Sequence, residues 1–384
     1  MAARRLSFQD AALPASTEEI RTRIRRHLAD ELEAGHFAPR CDTWLSGHDA
    51  GFSQRLGAAG FLGLTWPKQY DGHERSALDR FVVVEELLAH GAPIAAHWIS
   101  DRQSGPSILK HGTDALKEML LPGMARGEIY FSIGMSEPDS GSDLASIRAT
   151  ATRTEGGWKL NGTKVWTSQA HNNQYFIVLV RTTPAAETGG NRHAGMTQFV
   201  MDLRAPGVQI RPIRLLSGHH HFNEVVMDDV FVPDELLLGV EGNGWNQVIG
   251  ELAFERSGPE RFLSTYPLLS ALIDAVGGDP SPAAAAQIGV LVGRLAALRR
   301  LCISVAMQLD AGRSPITEAA LVKDLGTRLE SEIAEVARTL VPPGADARFD
   351  LLMEDAVLAA PGFTLRGGTN EILRGIVARE LGVR

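Results

Sequence analysis

The sequence predicts an α+β protein with an N-terminal α-helical domain, a middle antiparallel β domain and a C-terminal α-helical bundle. Apolar residues recur every four positions from Ile20 to Leu32, and Gly35 then ends this helical pattern. After Gly127 the pattern changes to short β-type runs, which are divided by turns bearing glycine and proline. Long helical periods return in the last part of the chain. We therefore expect three domains, at residues 1–127, 128–238 and 239–384.

The individual elements follow from local patterns within these regions. The first region predicts further helices in SALDRFVVVEELLAHG and TDALKEMLLPGMARG. In the middle region, GWKLNGTKVWTS predicts two short strands around the hairpin signal Asn161-Gly162. Few helix signals separate the next predicted strands, which favours antiparallel pairing over βαβ units; these strands are QYFIVLVRT, MTQFVMDL, GVQIRPI and NEVVMDDVFVP. The last region predicts two long helices, IGVLVGRLAALRRLCISVAMQLD and TEAALVKDLGTRLESEIAEVARTL.

The bulk composition argues against several classes of protein. Hydrophobic residues make up 44% and charged residues 22% of the 384 positions, which is ordinary for soluble globular proteins. No apolar run approaches the ~20 residues of a membrane helix, and the start MAARRLSFQDAALP lacks the apolar stretch of a secretory signal. We therefore expect a cytoplasmic protein without a membrane partner. The formal net charge of −8 argues against nucleic acid as a partner.

We also expect no metal site and no disulfide framework. Cys41 and Cys302 stand alone in the sequence, so they complete neither kind of motif. The histidine run at 219–221 lacks metal-ligand spacing, because successive residues of a strand point to opposite sides.

The loop GMSEPDSGSD, residues 134–143, is the first candidate for a binding site. It crowds serines, an aspartate and a glycine around Pro138, and so offers backbone N–H groups and hydroxyls to an anion or to the polar edge of a ring. The alternative is a plain turn between helix and strand. The chain contains neither GxxxxGK[ST] nor GxGxxG, so a nucleotide cofactor would bind without those phosphate-binding fingerprints.

An aromatic residue on a neighbouring predicted strand is a second candidate. In KVWTSQ, Trp166 and Ser168 are two residues apart and therefore share one face of the strand. Trp166 would either stack on a flat cofactor or pack in the β core.

The stretch GELAFERSGPERF carries the candidate for a catalytic base. Val248, Leu252 and Glu255 lie at i, i+4 and i+7, so a carboxylate ends an apolar helical stripe. Pro259 follows four residues later and leaves the Glu255 carbonyl without its helical partner, so the helix kinks or ends there. A carboxylate at such an irregularity is suited to general-base catalysis. The alternative is a surface glutamate that pairs with a neighbouring arginine.

Taken together and in this order, the motifs resemble those of the acyl-CoA dehydrogenase family of flavoproteins over nearly the whole chain. SIGMSEPDSGSDLASIRATATR and GWKLNGTKVWTS are similar to the flavin-binding signature of the family, with its Trp-x-Ser/Thr strand. FNEVVMDDVFVP and LGVEGNGW resemble the end of the family's β domain and the entry to its next helix. GGTNEILRGIVARELG resembles its C-terminal flavin-contacting segment.

The resemblance implies FAD, bound between the β domain and the C-terminal helices. The residues that it assigns to FAD are Met135, Ser136, Gly141, Trp166, Ser168, Thr369 and Glu371. Ser142 and Arg256 would face the acyl-CoA substrate. The implied reaction, part of fatty acid and lipid metabolism, removes an α proton while a β hydride passes to flavin N5, and gives a trans-2-enoyl-CoA. The implied electron acceptor is an electron-transfer flavoprotein.

The position of the catalytic base departs from the commonest family pattern. Many members carry a catalytic Glu immediately before the Gly-Thr of the last segment, where this chain has Gly367. The isovaleryl and long-chain branches take their base from a mid-chain Glu-Arg, which Glu255-Arg256 matches, so we expect Glu255 to be the base. The backbone of Gly367 and Gly368 would then approach the thioester carbonyl and polarise it through an N–H group. The absent side chain at residue 367 also leaves room for a branched or bulky acyl chain.

Two family segments are missing from the chain. YPLLSALIDAVGGDPSPAAAA replaces a segment that reaches the FAD of a neighbouring subunit, and DAVLAAPGFTLRGG replaces a Gln-x-x-Gly-Gly-x-Gly motif. These losses look like those in heteromeric acyl-CoA dehydrogenases of steroid side-chain breakdown, in which two unlike chains share each flavin. Four hypotheses stay open. Three are enzymes: a homo-oligomeric acyl-CoA dehydrogenase (dimer or tetramer), a subunit of a heterotetramer with a related chain, and a flavin monooxygenase or nitroalkane-type oxidase on the same scaffold. The fourth is a non-enzymatic binding module.

Overall fold

The computed structural model describes residues 6–9, 12–256 and 258–383, without the side chains of residues 251–255. In chain order its α-helices are α1 (Thr17–Glu33), α2 (Thr43–Ser46), α3 (Ala50–Ala58), α4 (Ala77–Ala89), α5 (Ala95–Ile99), α6 (Gly105–His111), α7 (Asp114–Ala125), α8 (Gly244–Glu255), α9 (Tyr266–Val276), α10 (Pro282–Asp310), α11 (Ile316–Leu340), α12 (Ala347–Phe363) and α13 (Asn370–Glu380). Its β-strands are β1 (Phe131–Gly134), β2 (Thr150–Thr154), β3 (Gly157–Ser168), β4 (Tyr175–Arg181), β5 (Met196–Asp202), β6 (Val208–Arg214), β7 (His220–Pro233) and β8 (Leu237–Leu238). This order of helices, strands and helices confirms the predicted α+β fold class.

The chain divides into two compact units. The helical unit comprises Met1–Gly47, Arg75–Pro93 and Leu252–Arg384. The sheet unit comprises His48–Glu74 and Ile94–Glu251. The division into domains at 1–127, 128–238 and 239–384 stays a prediction.

The helical unit is built around α11, against which α9, α10, α12 and α13 all pack. The apolar stripe predicted for α1 is confirmed, since Ile20 and Leu28 are fully buried. This helix packs on α4, where the buried Arg21 forms ion pairs with Glu85 and Glu86. Both long C-terminal helices are present as α10 and α11. Within the described part of the chain, no helix is both long and apolar enough to cross a membrane.

The sheet unit contains an eight-stranded, mostly antiparallel sheet. Its strand order is β6-β7-β3-β2-β4-β5-β8, and β1 pairs with β4. The strands β1 and β2 run parallel to β4, whereas the other pairs are antiparallel as predicted. The core of this unit includes Trp158 and Phe199, whose ring centroids lie 5.4 Å apart.

The predicted hairpin at Asn161-Gly162 is wrong. Both residues lie inside β3, and the turn that leads from β2 into β3 is at Gly156, which has φ 72°. Gly162 has φ 138° beside a register shift in the pairing of β3 with β7. A Cβ at Gly162 would lie 2.5 Å from the Cβ of Ala149. The Asn-Gly pair therefore marks an irregularity and a close approach within one strand, which alternation alone does not distinguish from a turn.

Candidate active site

The loop predicted as a binding site leaves the end of β1 and is bonded to β3. The Ser136 carbonyl accepts a backbone hydrogen bond from β3 at 2.9 Å. Glu137 and Ser140 exchange two backbone hydrogen bonds, of 2.8 and 3.1 Å, which close a tight turn. Gly141 and Ser142 follow this turn and are exposed. Because a Cβ at Gly141 would meet no atom within 4 Å, the space beside this glycine is open.

A buried ion pair ties this loop to β3 and to the residues just before β2. Lys164 Nζ donates to Glu137 Oε1 at 2.8 Å and to the Met135 carbonyl at 3.1 Å. The Glu137 carboxylate also accepts the backbone N–H groups of Arg148 and Ala149, at 2.6 and 3.0 Å. Burial lowers the pKa of Lys164 to about 8, against the opposing effect of the Glu137 charge. The Glu137 carboxylate thereby ties the loop to residues 148 and 149.

Trp166 projects from a second irregularity in β3. The pairing of β3 with β7 shifts between Lys164 and Thr167, and Trp166 has φ 59°. A positive φ costs a non-glycine residue roughly 1–3 kcal/mol. The indole is 57% exposed and stands edge-on to the ring of Phe222 at 5.8 Å, so Trp166 lies outside the β core. Thr167 is buried, whereas Ser168 is half-buried.

In the helical unit, Gly367 and Gly368 form a left-handed turn directly before α13. Their φ angles are 69° and 86°, which glycine adopts without a steric penalty. The Thr369 hydroxyl caps α13 by accepting the Ile372 N–H at 3.4 Å. Glu371 is exposed in the first helical turn, where a hydrogen bond from its own backbone N–H and one from Thr369 lower its pKa. Within the described residues, the N–H groups of residues 367–369 meet no hydrogen-bond acceptor.

Arg256 connects the segment after α8 with this turn. It is 5% exposed, and its Nε donates to the Gly367 carbonyl at 3.1 Å. A Cβ at Gly368 would lie 3.0 Å from Arg256 Nη2, so the guanidinium occupies space that a side chain would need. The helix ends at Glu255, four residues before Pro259, as the sequence predicts. The side chain of Glu255, the predicted base, lies outside the described residues.

Three buried polar residues on one face of α11 lie along this C-terminal segment. Lys323, Thr327 and Glu330 are spaced at i, i+4 and i+7 and are 0% exposed. Lys323 Nζ donates to two backbone carbonyls of the segment, at 3.2 and 2.8 Å, and to Asn370 Oδ1 at 2.8 Å. The Asn370 side chain also donates to Thr327 Oγ1 at 3.2 Å.

Glu330 belongs to a buried ionic cluster around Arg366, the residue before the turn. Arg366 Nη1 lies 2.6 Å from Asp42 Oδ1, and Nη2 lies 3.8 Å from Glu330 Oε2. Ser264 donates its backbone N–H to Glu330 Oε1 at 2.8 Å. Burial raises the pKa of Glu330 to about 7 and also raises that of Asp42, against the opposing charge of Arg366. Glu330 therefore carries a proton for part of the time near neutral pH.

These buried polar residues were not predicted from the sequence as part of the site. The sequence does contain a sign that Lys323 is buried, because this residue continues the face of α11 that contains the buried Ala319 and Ala320. A cation on the buried stripe of a long helix requires polar partners inside the fold. The sequence contains no comparable sign for Arg366, since its segment is irregular and its hydrophobic residues do not recur at regular spacing.

Family models match the chain in three consecutive parts. The N-terminal, middle and C-terminal domains of acyl-CoA dehydrogenase match residues 14–128, 132–230 and 280–382. The protein named acyl-CoA dehydrogenase IpdE1 from Mycolicibacterium smegmatis is 31% identical over 390 residues, which cover 95% of this chain and 97% of that protein. The chain belongs to the acyl-CoA dehydrogenase family. The resemblance seen in the sequence motifs is thereby confirmed.

Two other acyl-CoA dehydrogenases match this chain over only part of their own length. FadE34 from Mycobacterium tuberculosis is 32% identical over 85% of this chain and 45% of its own length. IpdE1 from the same species is 39% identical over 62% of this chain and 63% of its own length. The chain thus spans about half to two thirds of these two relatives.

Two solved structures share the fold of this chain. The "Tcur3481-Tcur3483 steroid ACAD" superposes with a TM-score of 0.86 at 24% identity, over 98% of this chain and 99% of the other. The ChsE4-ChsE5 complex from Mycobacterium tuberculosis superposes with a TM-score of 0.81 at 27% identity, over 99% of both chains.

Acyl-CoA dehydrogenases are flavoproteins, and the exposed features of the signature loop fit a flavin ring. A flat heterocycle needs hydrogen-bond partners at its polar edge and an apolar or aromatic surface beside it. Trp166 offers an indole outside the core, and the neighbouring Thr167 Oγ1 is a buried atom that has no hydrogen-bond partner among the described residues. Backbone N–H groups that meet no acceptor within the described residues are those of Met135, Ser136, Gly141 and Ser142.

The structure groups the predicted site residues of this acyl-CoA dehydrogenase family member into two sets. The sheet unit contains Met135, Ser136, Gly141, Ser142, Trp166 and Ser168. The helical unit contains Glu255, Arg256, Gly367, Gly368, Thr369 and Glu371. The role of each residue stays a prediction.

Proposed function

We propose that this chain uses FAD to convert an acyl-CoA thioester to the trans-2-enoyl-CoA, with Glu255 as the base. The contact between Arg256 and the Gly367 carbonyl carries the proposal. It ties the residue after Glu255 to the position at which many family members hold their catalytic glutamate. The residue that follows the proposed base is thereby held at that position, which supports the assignment of the base to Glu255.

The residues of the chain bind, orient and deprotonate the substrate. Glu255 accepts the α proton as the Cα–H bond breaks, and the electron pair of that bond becomes part of the new double bond. N–H groups of Gly367 and Gly368 donate to the thioester oxygen, where negative charge develops, and so favour removal of the proton. Bound FAD supplies the acceptor for the β hydride. Arg256 and Ser142 position the acyl-CoA.

The residues proposed to hold FAD are those that the family resemblance assigns to it. Backbone groups of the signature loop donate to the polar edge of the ring, and Trp166 packs against its surface. The full set is Met135, Ser136, Gly141, Trp166, Ser168, Thr369 and Glu371.

Substitution of Glu255 tests this proposal. Glu255→Gln retains the size of the side chain and removes its basicity, so FAD content is expected to persist while bleaching of the flavin by substrate slows by about 10²–10⁴-fold. Glu241→Gln, an exposed glutamate before α8, is the matched control and should bleach normally. Anaerobic stopped-flow absorbance with acyl-CoA substrates measures both. Bleaching of Glu255→Gln at the control rate would exclude Glu255 as the base.

The acyl group is proposed to be branched or bulky, because residue 367 contributes no side chain to the turn. Reduction rates with branched and straight-chain acyl-CoA thioesters of equal carbon number test this point. Equal rates for both series would contradict it. The proposed electron acceptor is an electron-transfer flavoprotein; rapid reoxidation by oxygen with an oxygenated product would instead favour the monooxygenase or oxidase hypothesis.

The second candidate function is that of a subunit in a heteromeric acyl-CoA dehydrogenase. It is supported by the two missing family segments and by the likeness to the chains of the Tcur3481-Tcur3483 and ChsE4-ChsE5 proteins. FAD stoichiometry and mass in solution of the chain alone distinguish the candidates. About one FAD per chain in a closed dimer or tetramer supports a homo-oligomer, whereas a colourless chain that gains FAD with a related chain supports the heterotetramer.

A further inference from the structure

Lys323 makes a complete set of hydrogen bonds with the segment that carries the glycine turn. Its Nζ donates to the Thr364 carbonyl at 3.2 Å, the Gly368 carbonyl at 2.8 Å and Asn370 Oδ1 at 2.8 Å. An ammonium group has three N–H donors and no acceptor, so three oxygens satisfy it fully. The residue is 0% exposed, and these contacts are therefore shielded from water.

Two cations together determine how the peptide groups of the turn are oriented. Arg256 binds the Gly367 carbonyl at 3.1 Å, and Lys323 binds the Gly368 carbonyl at 2.8 Å. In a trans peptide the C=O and the following N–H point in opposite directions. The Gly368 N–H therefore points away from Arg256, and the Thr369 N–H points away from Lys323. Neither N–H meets an acceptor within the described residues.

A turn with two adjacent glycines does not maintain such an orientation by itself. Both residues have positive φ, and glycine has more accessible conformations than any other residue. Either peptide group can rotate unless its carbonyl is held. Because charge-assisted hydrogen bonds are roughly twice as strong as neutral ones, an ammonium is well suited to hold it.

We infer that Lys323 is a positioning residue. By holding the Gly368 carbonyl it fixes the peptide group between Gly368 and Thr369, and together with Arg256 on the preceding peptide group it keeps the turn in the conformation in which the Gly368 N–H is directed at the substrate thioester. The inference rests on the proposed function for the identity of the ligand, but the orientation of the turn is a property of the chain alone. Lys323 acts through the backbone of the turn and has no contact with substrate in this role.

The alternative is a purely structural role, in which Lys323 only holds α13 against α11. A different residue pair makes such a contact without touching the turn: Arg374 Nε on α13 lies 3.1 Å from Asp324 Oδ1 on α11. Arg374→Met therefore removes a cation between the same two helices and serves as the matched control. Lys323→Met removes the ammonium and retains most of the side-chain volume.

Two readouts separate these roles. The first is hydrogen exchange of the Asn370 amide in the purified chain, since this N–H donates to the Thr364 carbonyl at 3.1 Å, which Lys323 also holds. We expect Lys323→Met to speed this exchange about ten-fold or more, and Arg374→Met to change it less than about two-fold. The second is the infrared stretch of a bound ¹³C-labelled enoyl-CoA thioester, which should shift towards its value in solution in Lys323→Met only.

Turnover adds a third comparison. With an acyl-CoA that the wild type oxidises, kcat of Lys323→Met should fall about ten-fold or more, because oriented N–H donors act mainly in the transition state, while KM changes less than about three-fold. If Lys323→Met does not fold, Lys323→Gln is judged by the same criteria, since its amide can still donate to one or two of the oxygens.

The outcomes test the inference and the proposed function independently of each other. Faster exchange and a lost infrared shift in the Lys323 variant, but not in Arg374→Met, support the inference. Equal behaviour of the two variants, or wild-type behaviour of Lys323→Met, overturns it. A wild type that oxidises no acyl-CoA contradicts the proposed function, and the exchange measurement then still decides whether Lys323 orients the turn.

Discussion

The guanidinium carbon of Arg366 lies 4.3 Å from the centroid of the Trp44 ring. The same guanidinium pairs with Asp42 at 2.6 Å and approaches Glu330 to 3.8 Å. The Arg366 side chain thus stacks on an aromatic ring and interacts with two buried carboxyl groups. Since Arg366 directly precedes the glycine turn, this cluster couples the stability of the helical unit to the position of the turn.

Loss of Arg366 should destabilise the helical unit strongly. Arg366→Met leaves Asp42 buried beside Glu330 without a cation, so we expect the free energy of unfolding to fall by about 3–5 kcal/mol. Urea unfolding followed by circular dichroism measures this change. Arg338→Met is the control, because its pair with Glu335 has side chains that are 60% and 62% exposed, and such a pair contributes about 1 kcal/mol or less. Similar losses in both variants would contradict a special role for Arg366.

The titration of Glu330 should give stability a specific dependence on pH. Burial raises the pKa of the Glu330 carboxyl group in the folded chain from its ordinary value of 4.5 to about 7. The contribution of this group is therefore fully present below pH 4.5 and is lost as pH rises through about 7. Glu330→Gln stays neutral, so its stability relative to the wild type should increase from pH 5 to pH 8. Denaturant unfolding at several pH values measures this difference; parallel stability curves would exclude the shifted pKa.

Trp166 should affect flavin retention more than stability. The indole is 57% exposed and stands outside the core, so Trp166→Ala should change the free energy of unfolding by about 0.5 kcal/mol or less. If the ring packs on FAD, the same substitution should weaken FAD binding about ten-fold or more. Phe231→Ala, in which the replaced ring is 48% exposed on β7, is the control and should retain FAD. Flavin fluorescence on dilution measures dissociation, and equal retention in both variants would count against a flavin contact.

Gly368 should tolerate no side chain. Gly368→Ala requires an L-residue at φ 86° and places a Cβ 3.0 Å from Arg256 Nη2, so the backbone is strained and the guanidinium must shift by a few tenths of an ångström. We expect a fall in kcat of about ten-fold or more, since misplaced donors lose transition-state stabilisation. Gly375→Ala on α13 meets no atom within 4 Å and should retain activity, with about 0.4–1 kcal/mol of added stability. Wild-type kcat in Gly368→Ala would contradict the tight fit at Arg256.

Periodic patterns predicted the elements that are long or strongly amphipathic. The stripe from Ile20 to Leu32 and the two long C-terminal helices are present, because a wide apolar face specifies both the helix and its burial. The prediction of a hairpin at Asn161-Gly162 was wrong for a physical reason. An Asn-Gly pair supplies the positive φ of a turn and equally that of an irregular strand, and only the pairing of β3 with β7 decides between them.

The candidate site was predictable where a motif has a fixed spacing and not where residues meet through the fold. The signature loop and the glycine turn could be recognised in the sequence. The contact between Lys323 and the Gly368 carbonyl joins positions that are 45 residues apart, and no local pattern encodes such a contact. The ion pair of Lys164 with Glu137 was missed for the same reason, since the two residues are 27 positions apart.

The left-handed conformation of Gly367 bears on where the site can hold a catalytic carboxylate. A glutamate at this position would have to adopt φ 69°, which costs an L-residue roughly 1–2 kcal/mol, and its backbone carbonyl is already engaged by Arg256. A glutamate at residue 367 would therefore strain the turn before it supplied a useful carboxylate. The backbone of this segment thus disfavours a catalytic carboxylate at that position.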